Sequence, residues 1–357
     1  MLCISVLQAA DILSEKEFPL TDFSKHNVAL DEIYSAGPPR DGIKSIDDPK
    51  FISIQLAETI LDAREPVVVV SINGATKAYP LRILLYHEII NDELNGEAIF
   101  VTHCPLCNTA IVFSRNVAGQ VLEFGTTGRV RDSNLIMYDR ETETWWQQFT
   151  GDAIVGKYAG TLLQNISSQI VSFAEFSQTY TQGLVLSQKT GFRRYYGKTP
   201  FPGYDDPNGD PFLFKGKIDP RIPPLERVLA LANESSSVVY PFTYLAEHPL
   251  INTAFESTKV LIISQASMVS TVDKKILKDS KTMLTAAAFD RTLGGKELVF
   301  EFKQGRIMDK QTLSVWNIFG EAIAGKLKGR KLKQVDKNVH FAFAWLAFYK
   351  NATIVTE

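Results

Sequence analysis

The chain has 357 residues, 45% of them hydrophobic and 22% charged, with a net charge of −2. That length suggests two domains or one large one, and the charge gives no case for a nucleic-acid or anionic-membrane partner. No apolar run approaches the ~18 residues of a transmembrane helix, and three cysteines are too few for a disulfide framework.

The opening "MLCISVLQAADILSE" is mildly apolar and lacks a basic start. It reads either as the tail of a clipped secretory signal, with small residues at Ala9 and Ala10, or as a short terminal helix. Further on, "VVVVSINGATKAYP" predicts a strand, an Asn-Gly turn and a second strand. Pro80 suits the first turn of a short helix, on which Leu84, His87 and Asn91 share a face. "AIFVTH" and "TAIVFSR" predict strands on either side of Cys104-Pro105-Leu106-Cys107. "GQVLEFG", "NLIMYDR" and "TWWQQF" predict more strands, and "VSFAEFSQTY" a helix. Residues 189–221 are rich in Pro, Gly and Asp, yet they carry aromatic residues, among them Phe192, Tyr195, Tyr196, Tyr204, Phe212 and Phe214. Such a stretch is irregular but packed, and is expected to lie across its neighbours. "HFAFAWLAFYK" predicts a closing helix.

Self-similarity runs through this order. "YPLRILLYHEIIN" (79–91) and "YPFTYLAEHPLIN" (240–252) match without a gap. "GRVRD" (128–132) resembles "GRIMD" (305–309), and "GDAIVGKYAGTLL" (151–163) resembles "GEAIAGKLKGRKL" (320–332). The expected organisation is an N-terminal segment (1–59), a first repeat (60–188), a connector (189–221) and a second repeat (222–357). The expected class is strand-rich α+β, with two related halves packed together.

The repeat acts as an internal control. His87 and Asn91 recur as His248 and Asn252, so they suit the common scaffold. Cys104 and Cys107 become Gln265 and Met268, so the scaffold can be built without thiols. His103, the cysteines, Asn108 and the segment "NLIMYDRETETWWQQF" belong to the first repeat alone.

Three readings of the two cysteines follow. Two thiolates completed by His103, Met137 or His87 form a soft set for copper or zinc, in a metal-binding protein or metalloenzyme. Alternatively, Cys104 attacks and Cys107 resolves in thiol–disulfide exchange, with His103 as a neighbouring cation. The β-branched residues after Cys107 predict a strand there, which removes the help of a helix N-terminus. In the third reading the thiols are structural, in a binding module for small ligands. Arg129, Asp139, Arg140 and Gln147 are candidates for lining a small-ligand cleft, and "FGTTGR" reads as a hairpin loop or an anion cradle.

"DGIKSIDDPKF", "YPLRILLYHEIIND", "THCPLCNTAIVF", "FGTTGRVRDSNLIMYDRETETWWQQ" and "GDAIVGKYAG", taken together, resemble the prokaryotic domain-of-unknown-function family 3179. The resemblance covers roughly residues 38–230. It implies an exported, extracytoplasmic protein, and it carries no activity, cofactor or protein partner with it.

Overall fold

The computed structural model describes residues 15–356; the stretch read as a signal remnant lies mostly outside them. Strands take 42% of the chain and helices 12%, so the strand-rich α+β class holds. No helix among the described residues is long and apolar enough to cross a membrane.

Three sheets organise residues 51–186. One runs Ser168–Ser172, Pro66–Ile72, Ala75–Pro80, Leu184–Leu186, Phe51–Ser53. The Asn73-Gly74 turn within it has φ of 48° and 87°, as a type I′ hairpin requires. The Val67–Val70 run is continuous because both of its faces are covered. Val67 and Val69 enter one core, and Val68 and Val70 another. A second sheet runs Asn165–Ile166, Thr109–Ser114, Glu97–Cys104, Ile89–Leu94. The third runs Phe124–Arg131, Asn134–Asp139, Trp145–Gln147, Ala153–Val155, and Tyr34–Ser35 joins its open edge.

Residues 227–354 form sheets in the same order. Val339–Phe341, Arg227–Ala232, Ser237–Pro241 and Thr353–Ile354 make one. Lys333–Gln334, Thr282–Asp290, Thr258–Val269 and Leu250–Phe255 make the next. Phe300–Lys303, Arg306–Asp309, Val315–Trp316 and Ala322–Ala324 make the last.

Two expectations change. The Leu81–His87 helix stops before Asn91, because Glu88 adopts a left-handed conformation (φ 55°) and redirects the chain into the Ile89–Leu94 strand. Asn91 therefore does not share a helix face with His87. It clamps the backbone of Phe124 instead, donating to the carbonyl at 2.8 Å and accepting from the N–H at 3.0 Å. "FGTTGR" is neither a loop nor a cradle: it is part of the Phe124–Arg131 strand, with a bulge between Thr126 and Arg129. Gly128 sits in that bulge at φ 73°, where a Cβ would come within 2.0 Å of the Pro38 carbonyl oxygen.

Candidate functional site: a buried dithiol under a hairpin turn

Cys104 ends the Glu97–Cys104 strand. Pro105–Cys107 forms one 3-10 turn, and Asn108 (φ 50°) turns the chain back into Thr109–Ser114. The expected strand after Cys107 is present, pairing Thr109 with Cys104. The thiols thus sit on a tight hairpin tip, and both are free and buried.

A second hairpin covers them. Phe124–Arg131 and Asn134–Asp139 are eight and six residues long, against four each for Phe300–Lys303 and Arg306–Asp309. The extra length ends in a turn at Asp132 and Ser133, with φ of 51° and 63°. The Ser133 carbonyl accepts from the Cys104 Sγ at 3.8 Å and the Cys107 Sγ at 3.6 Å. Its N–H donates to the Tyr34 hydroxyl (3.3 Å) and its Oγ to the Phe212 carbonyl (2.6 Å). Tyr34 in turn donates to the Leu213 carbonyl, and Tyr204 to the Leu106 carbonyl at 3.2 Å. The 189–221 connector therefore lies directly over the dithiol.

The two thiols differ in acidity. Burial pushes Cys104 up. The Cys107 thiol and the backbone N–H groups of Leu135, Cys107 and Leu106 donate to its sulfur, and they leave it below the ordinary 9.0. Burial drives Cys107 well above that value, helped by the proton it shares with Cys104 and by the Cys104 charge.

Glu88 is a member of this site that spacing did not single out. Its carbonyl accepts from the His103 N–H at 2.8 Å, which places it across from the end of the cysteine strand. It is 9% exposed. Burial, then the Cys104 charge, hold its carboxyl well above the usual range. The comparison that isolated the cysteines also carried this signal, since Pro249 stands in its place in "AEHPLIN".

A family model now accounts for most of the chain: that of a protein of unknown function, DUF3179, matches residues 40–352. The chain belongs to DUF3179. The match runs beyond residue 230 and takes in the segment without cysteines. No curated protein and no solved structure matches the chain.

Within this DUF3179 chain the expected ligands separate. His103 alternates with Cys104 along the strand, and its neighbours Ile99 and Val101 enter a different core from Phe100 and Cys104. Its Nδ1 is buried without a partner, and burial pushes its pKa down to about 3, so it supplies no cation to Cys104. Both ring nitrogens of His87 are engaged, Nδ1 with the Lys44 carbonyl at 2.7 Å and Nε2 with the Tyr196 hydroxyl at 2.6 Å. Met137 is fully buried in the same cluster as both cysteines. Among the described residues, no three His, Cys, Asp or Glu side chains are grouped to hold a metal ion.

The four residues expected to line a cleft are not brought together on one. Arg129 pairs with Glu17 and donates to the Thr127 carbonyl at 2.6 Å. Arg140 pairs with Glu123 (2.8 Å) and Asp41 (3.0 Å). Asp139 accepts from the Trp146 indole at 2.9 Å and the Thr142 N–H at 2.7 Å. Gln147 donates to Asn134 at 2.7 Å, next to Gln148, which joins Asn134 to Thr102.

Proposed function

We propose that Cys104 and Cys107 form a thiol–disulfide redox centre, with Cys104 as the attacking and Cys107 as the resolving thiol. The observation that supports this best is convergence. Both sulfurs meet one backbone acceptor, Ser133, on one hairpin tip, with the first thiol more acidic than the second. The Cys104 thiolate bonds to one sulfur of a partner disulfide, whose S–S bond breaks and whose other sulfur leaves as a thiol after taking a proton. Cys107 then bonds to Cys104 and expels the remaining half as a second thiol, its own proton passing to that sulfur. The dithiol loses two electrons and two protons, and the partner disulfide gains them.

Residues 60–188 and 222–357 are read here as related halves, the second having kept the scaffold. Support comes from the common strand order and from matched fastenings: Asn252 clamps Phe300 as Asn91 clamps Phe124, with both bonds at 2.8 Å. The short second hairpin leaves nothing to cover a dithiol.

A second reading is a copper or zinc site on the two sulfurs, favoured by Met137 in their cluster. One experiment separates the readings: thiol counting and metal analysis on Cys3→Ser protein purified without added metal. Two thiols that vanish in an oxidising thiol buffer and return in a reducing one are expected, and Cys107→Ser should trap a mixed disulfide on Cys104. Stoichiometric copper or zinc, lost in Cys104→Ser/Cys107→Ser, would establish the metal reading instead. Thiols inert until unfolding, with no metal bound, would leave them structural.

A further inference from the structure

A cleft of about 900 Å³ lies beside the dithiol. The Ala342–Phe348 helix, the stretch from Phe214 to Arg221, and Tyr34 and Asp132 line it. Tyr34 and Asp132 are the immediate neighbours of Ser133: one bonds its N–H, and the other precedes it in the chain. A single residue therefore separates this cleft from the two sulfurs.

The lining has two characters. Its floor is aromatic, with the Phe214 and Phe343 rings 5.1 Å apart. Its rim is basic. Arg131 and Arg221 have carboxylate partners in Glu32 (2.6 Å) and Asp219 (2.7 Å). Lys215, Lys217 and Lys350 are exposed and form no salt bridge among the described residues, although the Lys350 charge acts on Asp132. The Lys215 ammonium lies 3.8 Å from the centre of the Tyr34 ring. Against these stand the carboxylates of exposed Asp31 and half-buried Asp132, fewer than the three lysines. The balance favours an anion.

We propose that this cleft receives the disulfide that exchanges with Cys104, and that it selects small peptide disulfides bearing free carboxylates. The proposal rests on the redox reading above. The carboxylates meet Lys217 and Lys350, the apolar part of the peptide lies on the phenylalanines, and the S–S bond points at Ser133. The turn at Asp132 and Ser133 is the element that swings aside. Both residues are non-glycine in left-handed backbone, a conformation held at a cost that opening relieves. The exchange itself is the two-step transfer already described.

The test follows dithiol oxidation in full-length, reduced Cys3→Ser protein with two probes: oxidised glutathione, which is anionic, and bis(hydroxyethyl) disulfide, which is neutral. At low salt the anionic probe should react about tenfold faster, and added salt should shrink that preference. Lys217→Glu/Lys350→Glu should remove it, slowing the anionic probe more than the neutral one, so the readout is the ratio of the two rates. Both lysines are exposed, so the variant keeps the fold. Equal rates with the two probes, or a preference that survives the charge reversal, would overturn the cleft proposal and leave the redox centre standing. Failure of both probes to oxidise the dithiol would overturn the redox reading and the cleft with it.

Discussion

Glu88 holds a carboxyl where few proteins leave one, in left-handed backbone, buried, and within reach of the charge on Cys104, the more acidic of the two thiols. Its pKa in the folded chain stands well above the ordinary 4.5. The linkage has a definite sign: the folded state keeps a proton that the unfolded state gives up. The contribution of Glu88 to stability is therefore complete below pH 4.5 and is lost as pH rises toward the folded value. Glu88→Gln should gain stability over the native chain as pH rises, with the smallest gap in acid. Urea midpoints at about pH 4 and about pH 8 measure this, and a gap that does not change with pH would mean that Glu88 is ionised in the fold. The cysteines stood out because the match between the two Tyr-Pro segments sets Gln265 and Met268 against them, and it sets Pro249 against Glu88. His103 misled because sequence adjacency to Cys104 places it on the opposite face of a strand.

Hairpins and short helices were legible where period and punctuation agreed. The Asn-Gly turn, the strands around the cysteines and the Phe173–Thr179 and Ala342–Phe348 helices all lie where their patterns put them. The Phe124–Arg131 strand was not legible, because Gly-Thr-Thr-Gly has the composition of a loop and only its partner Asn134–Asp139 makes it a ladder. Asp139 was misjudged for a related reason. Its carboxylate fastens the turn to Trp146, and Asp309 does the same to Trp316 at 3.0 Å and Thr312 at 2.6 Å. Removing either acceptor leaves a buried indole N–H and a backbone N–H without a partner, at about 1–3 kcal/mol. Asp139→Ala and Asp309→Ala should therefore lose similar stability in chemical denaturation. A harmless Asp139→Ala beside a damaging Asp309→Ala would return Asp139 to the list of ligand-facing residues.

The molecule as a whole is not two cores joined by a string. One core combines Phe100, Cys104 and Trp146 with Val228, Phe341 and Trp345, and another combines Val67 and Phe173 with Ile263 and Phe319. The connector is bound into this arrangement by Asp205, whose carboxylate pairs with Arg227 and, at 3.4 Å, with Lys281, and whose backbone carbonyl accepts from the Lys281 ammonium at 2.8 Å. Arg227 is 7% exposed and lies 4.9 Å from the centre of the Phe341 ring. Asp205 adjoins Tyr204, the residue that bonds the Leu106 carbonyl between the two cysteines. One ion pair thus holds both the fold and the cover of the dithiol. Asp205→Ala strands a buried guanidinium and should cost about 3–5 kcal/mol, whereas Asp205→Ala/Arg227→Met removes both charges and should recover most of it. Thermal and urea unfolding measure the first effect. The rate of Cys104 alkylation measures the second: in native buffer it should rise in Asp205→Ala and also in the double variant, because both release the segment that carries Tyr204. A double variant that regains stability yet alkylates as slowly as the native chain would show that the cover is held by its aromatic packing and not by this pair.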